Sequence, residues 1–161
     1  MYIDHAEALD KPLTANFSVV LPNAAQIAGD FIYCAPVADF YFKENPFKSL
    51  ERLYPVSFAN PVRAQYILNL QIPPGYQVDE VPPGLNLVLP NDGGRLVYMS
   101  SVQPDGNLKI VLRLNLRQLD FQPEEYDALR VFFDKIVEKI NEPVVLKKIG
   151  TTGITPSISK Q

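Results

Sequence analysis

Cysteine and histidine have the most distinctive side-chain chemistry in this sequence, and each occurs once, as Cys34 and His5. A cysteine in contact with a histidine can act as the nucleophile of acyl transfer. His5 lies in a polar terminal stretch, whereas Cys34 lies between Tyr33 and Ala35 in an apolar, strand-like run. A single cysteine in such a run is typically a small buried side chain, so we expect no catalytic residue. A zinc site would require more nitrogen and sulfur ligands than these two residues supply.

Paired carboxylates are a second candidate for chemistry, because two neighbouring acids can share acid–base work. The pair Asp79–Glu80 fits the solvated edge of a strand equally well, and Glu124–Glu125 fits the start of a helix. Asp92 and Asp105 have the side chain that calcium prefers, but Asn, Asp and Gly are also what tight turns require. No glycine-rich phosphate loop leads into a lysine and a helix. We therefore predict neither a metal site nor a cofactor.

Four aromatic side chains form a candidate binding surface: Phe40, Tyr41, Phe42 and Phe47. Exposed aromatic rings stack on sugars or anchor protein partners. Buried rings of the same kind fill the core of a β-sandwich, and that alternative is the commoner one. The sequence leaves both interpretations open.

The element that must organise the fold is a predicted helix over residues 123–141, PEEYDALRVFFDKIVEKIN. Its apolar residues recur at spacings of three and four, which is typical of a helix with one buried side. Pro123 suits the first turn, where its missing N–H has no cost, and Pro143 ends the run. The predicted apolar stripe comprises Tyr126, Leu129, Phe133, Ile136 and Ile140, widened by Phe132 and Val137.

Strand patterns fill most of the remaining chain, and the clearest is Leu108–Leu116. Leucine and isoleucine alternate there with polar residues, which predicts one buried side and one solvated side. Lys109 and Arg113 should therefore be exposed, with Leu112 and Leu114 in the core. Other predicted strands cover residues 16–21, 30–42, 53–58, 65–72, 76–81, 86–89, 95–101 and 144–147, and residues 22–30 are predicted as a loop or a short turn of helix.

Short strands separated by Pro, Gly, Asn and Asp turns predict a mainly β (α+β) fold. We expect an antiparallel β-sandwich or a curved meander sheet with one long C-terminal helix packed on it. The predicted organisation is a lead-in over residues 1–12, a single β-rich domain over residues 13–148 and a flexible tail over residues 149–161.

Charge and hydropathy exclude two classes of partner. The net charge is −3 and no basic cluster is evident in the sequence, which argues against nucleic-acid binding. The apolar runs are too short for a membrane span, and the first residues lack the pattern of a signal peptide.

Three segments in order carry a family resemblance: NPFKSLERLYPVSF from Asn45, PPGYQVDEVP from Pro73, and PEEYDALRVFFDKIVEKINEPVVLKK from Pro123. Residues 30–148 resemble the uncharacterised domain that ends many secreted transglutaminase-like proteins of Bacteroides-type bacteria. In those proteins a papain-like core precedes the β-rich domain and its late helix.

The resemblance implies a non-catalytic accessory module that is periplasmic or extracellular and has a neighbouring transglutaminase-like domain as its partner. It transfers no active site, because a transglutaminase core has Cys, His and Asp in that order, whereas His5 precedes Cys34 here. The alternative is an independent glycan- or protein-binding module that uses exposed aromatics. A planar aromatic patch would favour the alternative, and an exposed apolar face near the N-terminal end would favour the accessory module.

Overall fold

The structure, a computed structural model, describes residues 2–4, 10–16, 18–21, 24–37 and 43–150. Within these residues it contains twelve strands and one α-helix, α1, Tyr126–Asn141. The strands are β1 Tyr2–Asp4, β2 Thr14–Asn16, β3 Ala25–Ala28, β4 Phe31–Cys34, β5 Val56–Ser57, β6 Val62–Leu70, β7 Tyr76–Glu80, β8 Leu85–Val88, β9 Gly94–Val102, β10 Leu108–Leu116, β11 Asp120–Phe121 and β12 Val144–Lys148.

The strands form two four-stranded antiparallel sheets and two small ribbons. The first large sheet has the order β6-β10-β9-β8, and the second has the order β3-β4-β12-β7. The ribbons pair β1 with β2 and β5 with β11. This architecture confirms the mainly β fold class with a single C-terminal helix.

Strand β10 shows why the sequence forms the first sheet. Its alternating apolar side chains are at most 2% exposed, and they lie in the core beside buried residues of the helix and of both large sheets. Lys109 and Arg113 are exposed while Leu112 and Leu114 are buried, which confirms the predicted register. A shift by one residue would expose this whole apolar set, so burial fixes the pairing.

Helix α1 buries the predicted stripe. Phe133 is 1% exposed, and Leu129, Ile136 and Ile140 are fully buried. A 3₁₀ turn, Pro123–Glu125, precedes the helix, and the Glu125 carboxylate accepts the N–H of Gln122 at 2.9 Å at the start of that turn. Fully burying a large apolar side chain contributes roughly 1.5–3 kcal/mol, so this stripe holds the helix in place.

The N-terminal part of the chain differs from its predictions. The strand predicted over residues 16–21 is wrong, because β2 ends at Asn16 and the described residues 18–21 form no strand. The loop or helical turn predicted over residues 22–30 contains β3 instead. Gly29 has a φ of +60° and allows a tight turn that folds β3 back onto β4. Cross-strand pairing therefore overrides the weak helical preference of the alanines.

Candidate interaction surfaces

Cys34 lies on β4 and is half-buried. Burial raises the pKa of its thiol above the usual value, so the protonated form is favoured. The sulfur lies 3.8 Å from the backbone oxygen of Val144, a hydrogen bond to a carbonyl and not to a base. A cavity of about 340 Å³ adjoins the thiol, lined by Ala24, Ala25, Gln26, Tyr33, Cys34, Ala35 and Pro143. Nothing in this geometry activates the sulfur, and His5 lies outside the described residues.

The aromatic candidates divide into two groups. Phe40, Tyr41 and Phe42 lie outside the described residues. Phe47 is 9% exposed, and its ring centroid lies 5.0 Å from that of Phe133 in an edge-to-face contact. Its ring also meets the rings of Phe58 and Tyr126 edge to face. Phe47 is therefore a core side chain and offers no exposed ring to a sugar or a partner.

Asn45 explains why Phe47 reaches the core. Its side-chain oxygen accepts the N–H of Phe47 at 2.8 Å, which fixes the turn around Pro46. Its side-chain nitrogen donates to the backbone oxygen of Arg130 at 2.9 Å and to the Asp134 carboxylate at 2.7 Å. The asparagine thus attaches the preceding loop to the helix, so the NPF triplet has a structural role.

The carboxylates stabilise turns and helix ends. The N–H of Gln122 and the side chain of Gln118 hold the pKa of Glu125 below its usual value. Asp105 accepts bonds from the backbone and side-chain nitrogens of Asn107, which lower its pKa. Among the residues that the structure describes, no three His, Cys, Asp or Glu side chains are grouped closely enough to hold a metal ion.

A buried lysine at the end of α1 forms an ion pair with the half-buried Glu142. Lys139 is 6% exposed, and its Nζ donates to the Glu142 carboxylate at 2.5 Å and to the Pro83 carbonyl oxygen at 3.2 Å. The same ammonium lies 5.5 Å from the centre of the Tyr98 ring, on β9 of the first sheet. These contacts join the helix C-terminus to that sheet. The spacing of Lys139 and Glu142 predicts only an ordinary surface pair, because burial is not visible in local sequence.

Tyr98 shares this environment. It is 1% exposed, and its hydroxyl has no hydrogen-bond partner among the described residues. Burial and, secondarily, the negative charge of Glu142 raise the pKa of Tyr98 to about 12. Ionisation of this hydroxyl is thus unfavourable inside the fold.

Five exposed apolar side chains lie in the N-terminal part of the described chain. We call this group the N-terminal apolar surface and define it by Leu13, Val19, Val20, Leu21 and Ile27, which are 66, 62, 92, 56 and 73% exposed. Ile27 pairs with Ile32 across the β3–β4 hairpin, so both side chains lie on the same side of the second sheet. Ile32 packs against the core, whereas Ile27 extends beyond the core's edge.

The family of this chain follows from a match to a family model. The model of a domain of unknown function with a solved structure, DUF3858, matches residues 30–146. The chain belongs to the DUF3858 family. The matched range begins just before β4 and ends within β12, so it contains the first large sheet, α1 and most of the second sheet.

The fold of this DUF3858 chain is similar to part of a larger solved structure. A crystal structure of a putative protease from Parabacteroides distasonis superposes with a TM-score of 0.58 at 13% sequence identity. The match covers 73% of this chain and 23% of that protein, so this chain spans about a quarter of its length. At this identity the likeness shows a shared fold. No curated protein matches the DUF3858 chain, and no described helix is both long and apolar enough to cross a membrane.

Proposed function

We propose that this chain is a non-catalytic accessory module that packs against a neighbouring transglutaminase-like domain of papain-like fold, in the periplasm or outside the cell. The segments quoted from Asn45, Pro73 and Pro123 support the family context. The exposure of the N-terminal apolar surface is the observation that carries the docking role.

Exposed apolar residues lie in and just before the edge strand of the second sheet. Val20, which is 92% exposed, precedes the edge strand β3 of the second sheet. Ile27, which is 73% exposed, lies within that strand. Exposed apolar residues are common singly, but three in a row, Val19, Val20 and Leu21, followed by Ile27, support a surface that binds another protein. Burying a side chain of this kind contributes roughly 1.5–3 kcal/mol. A neighbouring domain that covered several of them would be held firmly.

The proposal that the module is non-catalytic rests on Cys34. Thiol acyl transfer needs a thiolate, a base in hydrogen-bond contact and donors for the oxyanion. The pKa of Cys34 is raised by burial, and its hydrogen bond goes to the carbonyl of Val144. We expect purified wild-type protein and Cys34→Ser to show no amine incorporation into a glutamine peptide and no peptidase activity. Turnover by the wild type that Cys34→Ser abolishes would overturn this part of the proposal.

Calorimetric titration of the chain against a separately purified transglutaminase-like core tests the docking role. We expect saturable binding that Val20→Asn and Ile27→Asn each weaken about tenfold, because each removes apolar contact area. Val131→Asn is the matched control, since Val131 is 42% exposed on α1. Absence of binding, or equal weakening by Val131→Asn, would contradict docking through the N-terminal apolar surface.

A further inference from the structure

The outer side of the first sheet carries only one sign of charge. Arg63 on β6, Arg95 on β9, and Lys109 and Arg113 on β10 are all exposed. The four strands of this sheet contain no aspartate or glutamate. The whole chain has a net charge of −3, so the positive charge of this side is opposite in sign to the net charge of the protein. We call this side the basic sheet face.

No carboxylate of a described residue forms an ion pair with the cations of the basic sheet face. Arg95 Nε donates to Asn86 Oδ1 at 2.9 Å, and Arg113 Nε donates to Gln65 Oε1 at 3.1 Å. Both acceptors are neutral amides. They orient the two guanidinium groups and leave the positive charge available.

An apolar row crosses the middle of the same face. Val111 is directly opposite Ile67 on one neighbouring strand and Met99 on the other. Ile67 is 51% and Met99 is 47% exposed, while Val111 between them is half-buried. Lys109 and Arg113 lie two residues to either side of Val111 and point to the same side of the strand. The row therefore has a positive charge along each flank.

We propose that the basic sheet face binds a protein surface with an apolar centre and carboxylates on both sides, such as an acidic amphipathic helix. This interaction is separate from the docking role proposed above, because it uses the other large sheet. Charge complementarity selects an acidic partner. The apolar row selects a protein, since an apolar centre with arginine around it is typical of protein interfaces.

The composition of the face argues against polyanions. Single-stranded nucleic acids and glycans are commonly recognised by stacking on aromatic rings. The aromatic residues of the sheet, Tyr66 and Tyr98, belong to the alternate set of positions that packs toward the core. A sulfated polysaccharide would gain nothing from covering Ile67 and Met99.

The area of the face sets the expected strength of binding. Three nine-residue strands at the usual spacings present roughly 400 Å² of flat area. A stable interface buries about 800 Å² per partner. We therefore expect dissociation constants in the micromolar range, sensitive to salt because the flanking charges are exposed.

Fluorescence anisotropy with labelled synthetic peptides tests the proposal. The probe is an amphipathic helix of about 18 residues with a leucine stripe flanked by glutamates, and its matched control has lysine in place of every glutamate. We expect the glutamate peptide to bind and the lysine peptide not to bind. The double variant Lys109→Glu/Arg113→Glu, and a rise in salt from about 50 to about 500 mM, should each weaken binding about tenfold. Met99→Asn should weaken it about threefold.

Lys48→Glu is the matched charge control, since Lys48 is an exposed cation of the loop before β5. It should leave peptide binding unchanged, and circular dichroism melts should show that every variant is folded. Equal binding of the two peptides, tighter binding of heparin than of the glutamate peptide, or the same loss in Lys48→Glu would overturn the proposal. Sedimentation tests one more alternative. If the wild-type chain is a dimer and the double variant Lys109→Glu/Arg113→Glu is a monomer, the face binds a second copy of the chain and the proposal is overturned.

Discussion

The two ends of the described chain use apolar residues in opposite ways. Between β6 and β12, alternating apolar side chains such as Leu108 and Leu112 are fully buried. Between residues 10 and 28, apolar side chains such as Leu13, Val20 and Ile27 are more than half exposed. Both regions contain strands, so strand formation alone does not bury a side chain. Burial requires a second layer of structure. The helix and the facing strands supply that layer between β6 and β12, whereas no described element supplies it for residues 10–28.

The largest expected effect is in the buried region. Phe133→Ala removes a ring that packs against Phe47 in the core and should lower the free energy of unfolding by about 3–5 kcal/mol. Glu138→Ala, on the exposed side of the same helix, should lower it by less than about 0.5 kcal/mol. Urea denaturation measures both. Small and equal losses would show that the helix is not packed as described.

The ion pair between buried Lys139 and half-buried Glu142 should give the next largest effect. Glu142→Ala leaves the Lys139 ammonium buried without its carboxylate, and we expect a loss of about 2 kcal/mol in unfolding free energy. Lys139→Met replaces the cation with an apolar chain of similar length and should cost less than about 1 kcal/mol. Guanidinium denaturation at constant pH compares the two. A larger loss for Lys139→Met than for Glu142→Ala would contradict this account of the ion pair.

Alkaline pH should weaken the same region through Tyr98. Its pKa is raised to about 12 in the folded state, against an ordinary value of about 10. The protonated hydroxyl therefore stabilises the fold fully below pH 10, and this contribution is lost as pH rises from 10 through 12. We expect a loss of about 2 kcal/mol across this interval. Tyr98→Phe should reduce the pH dependence, and identical pH profiles for variant and wild type would exclude Tyr98 as its source.

The smallest expected effect is in the N-terminal region. Ile27→Asn should change the free energy of unfolding by less than about 0.5 kcal/mol, because a side chain that is 73% exposed has little packing to lose. Leu112→Asn, on a fully buried strand position, is the contrasting variant and should cost several kcal/mol. Thermal melts of the two proteins test the contrast. Comparable losses would mean that Ile27 is buried in solution.

The core elements were predictable because their patterns agree with their packing. The alternation over Leu108–Leu116 gave the strand and its buried side, and the spacing of Leu129, Phe133 and Ile136 gave the buried side of the helix. Strand β3 was missed because Ala25–Ala28 has little strand preference of its own. Its hairpin with β4 turns at Gly29-Asp30, a local turn signal that the sequence prediction did not use because the strand before it is weak.

The candidate surfaces were less predictable than the fold. An aromatic cluster in sequence indicates either a core or a surface, and only the position of Asn45 against the helix places Phe47 inside. The basic sheet face escaped notice because Arg63, Arg95 and Arg113 are far apart in sequence. Antiparallel pairing brings them to one side of one sheet. Charge clustering of this kind depends on strand order, which the sequence left undetermined.

The proposed function depends on docking of the N-terminal apolar surface on a neighbouring transglutaminase-like domain. Hydrogen exchange followed by mass spectrometry tests it most directly, with the chain alone compared with the chain mixed with that purified domain. We predict that backbone amides of residues 18–21 and of β3, Ala25–Ala28, exchange at least about tenfold more slowly in the mixture than in the free chain. Unchanged exchange there, at concentrations where titration shows binding, would contradict docking through this surface and would place the docking surface elsewhere on the module.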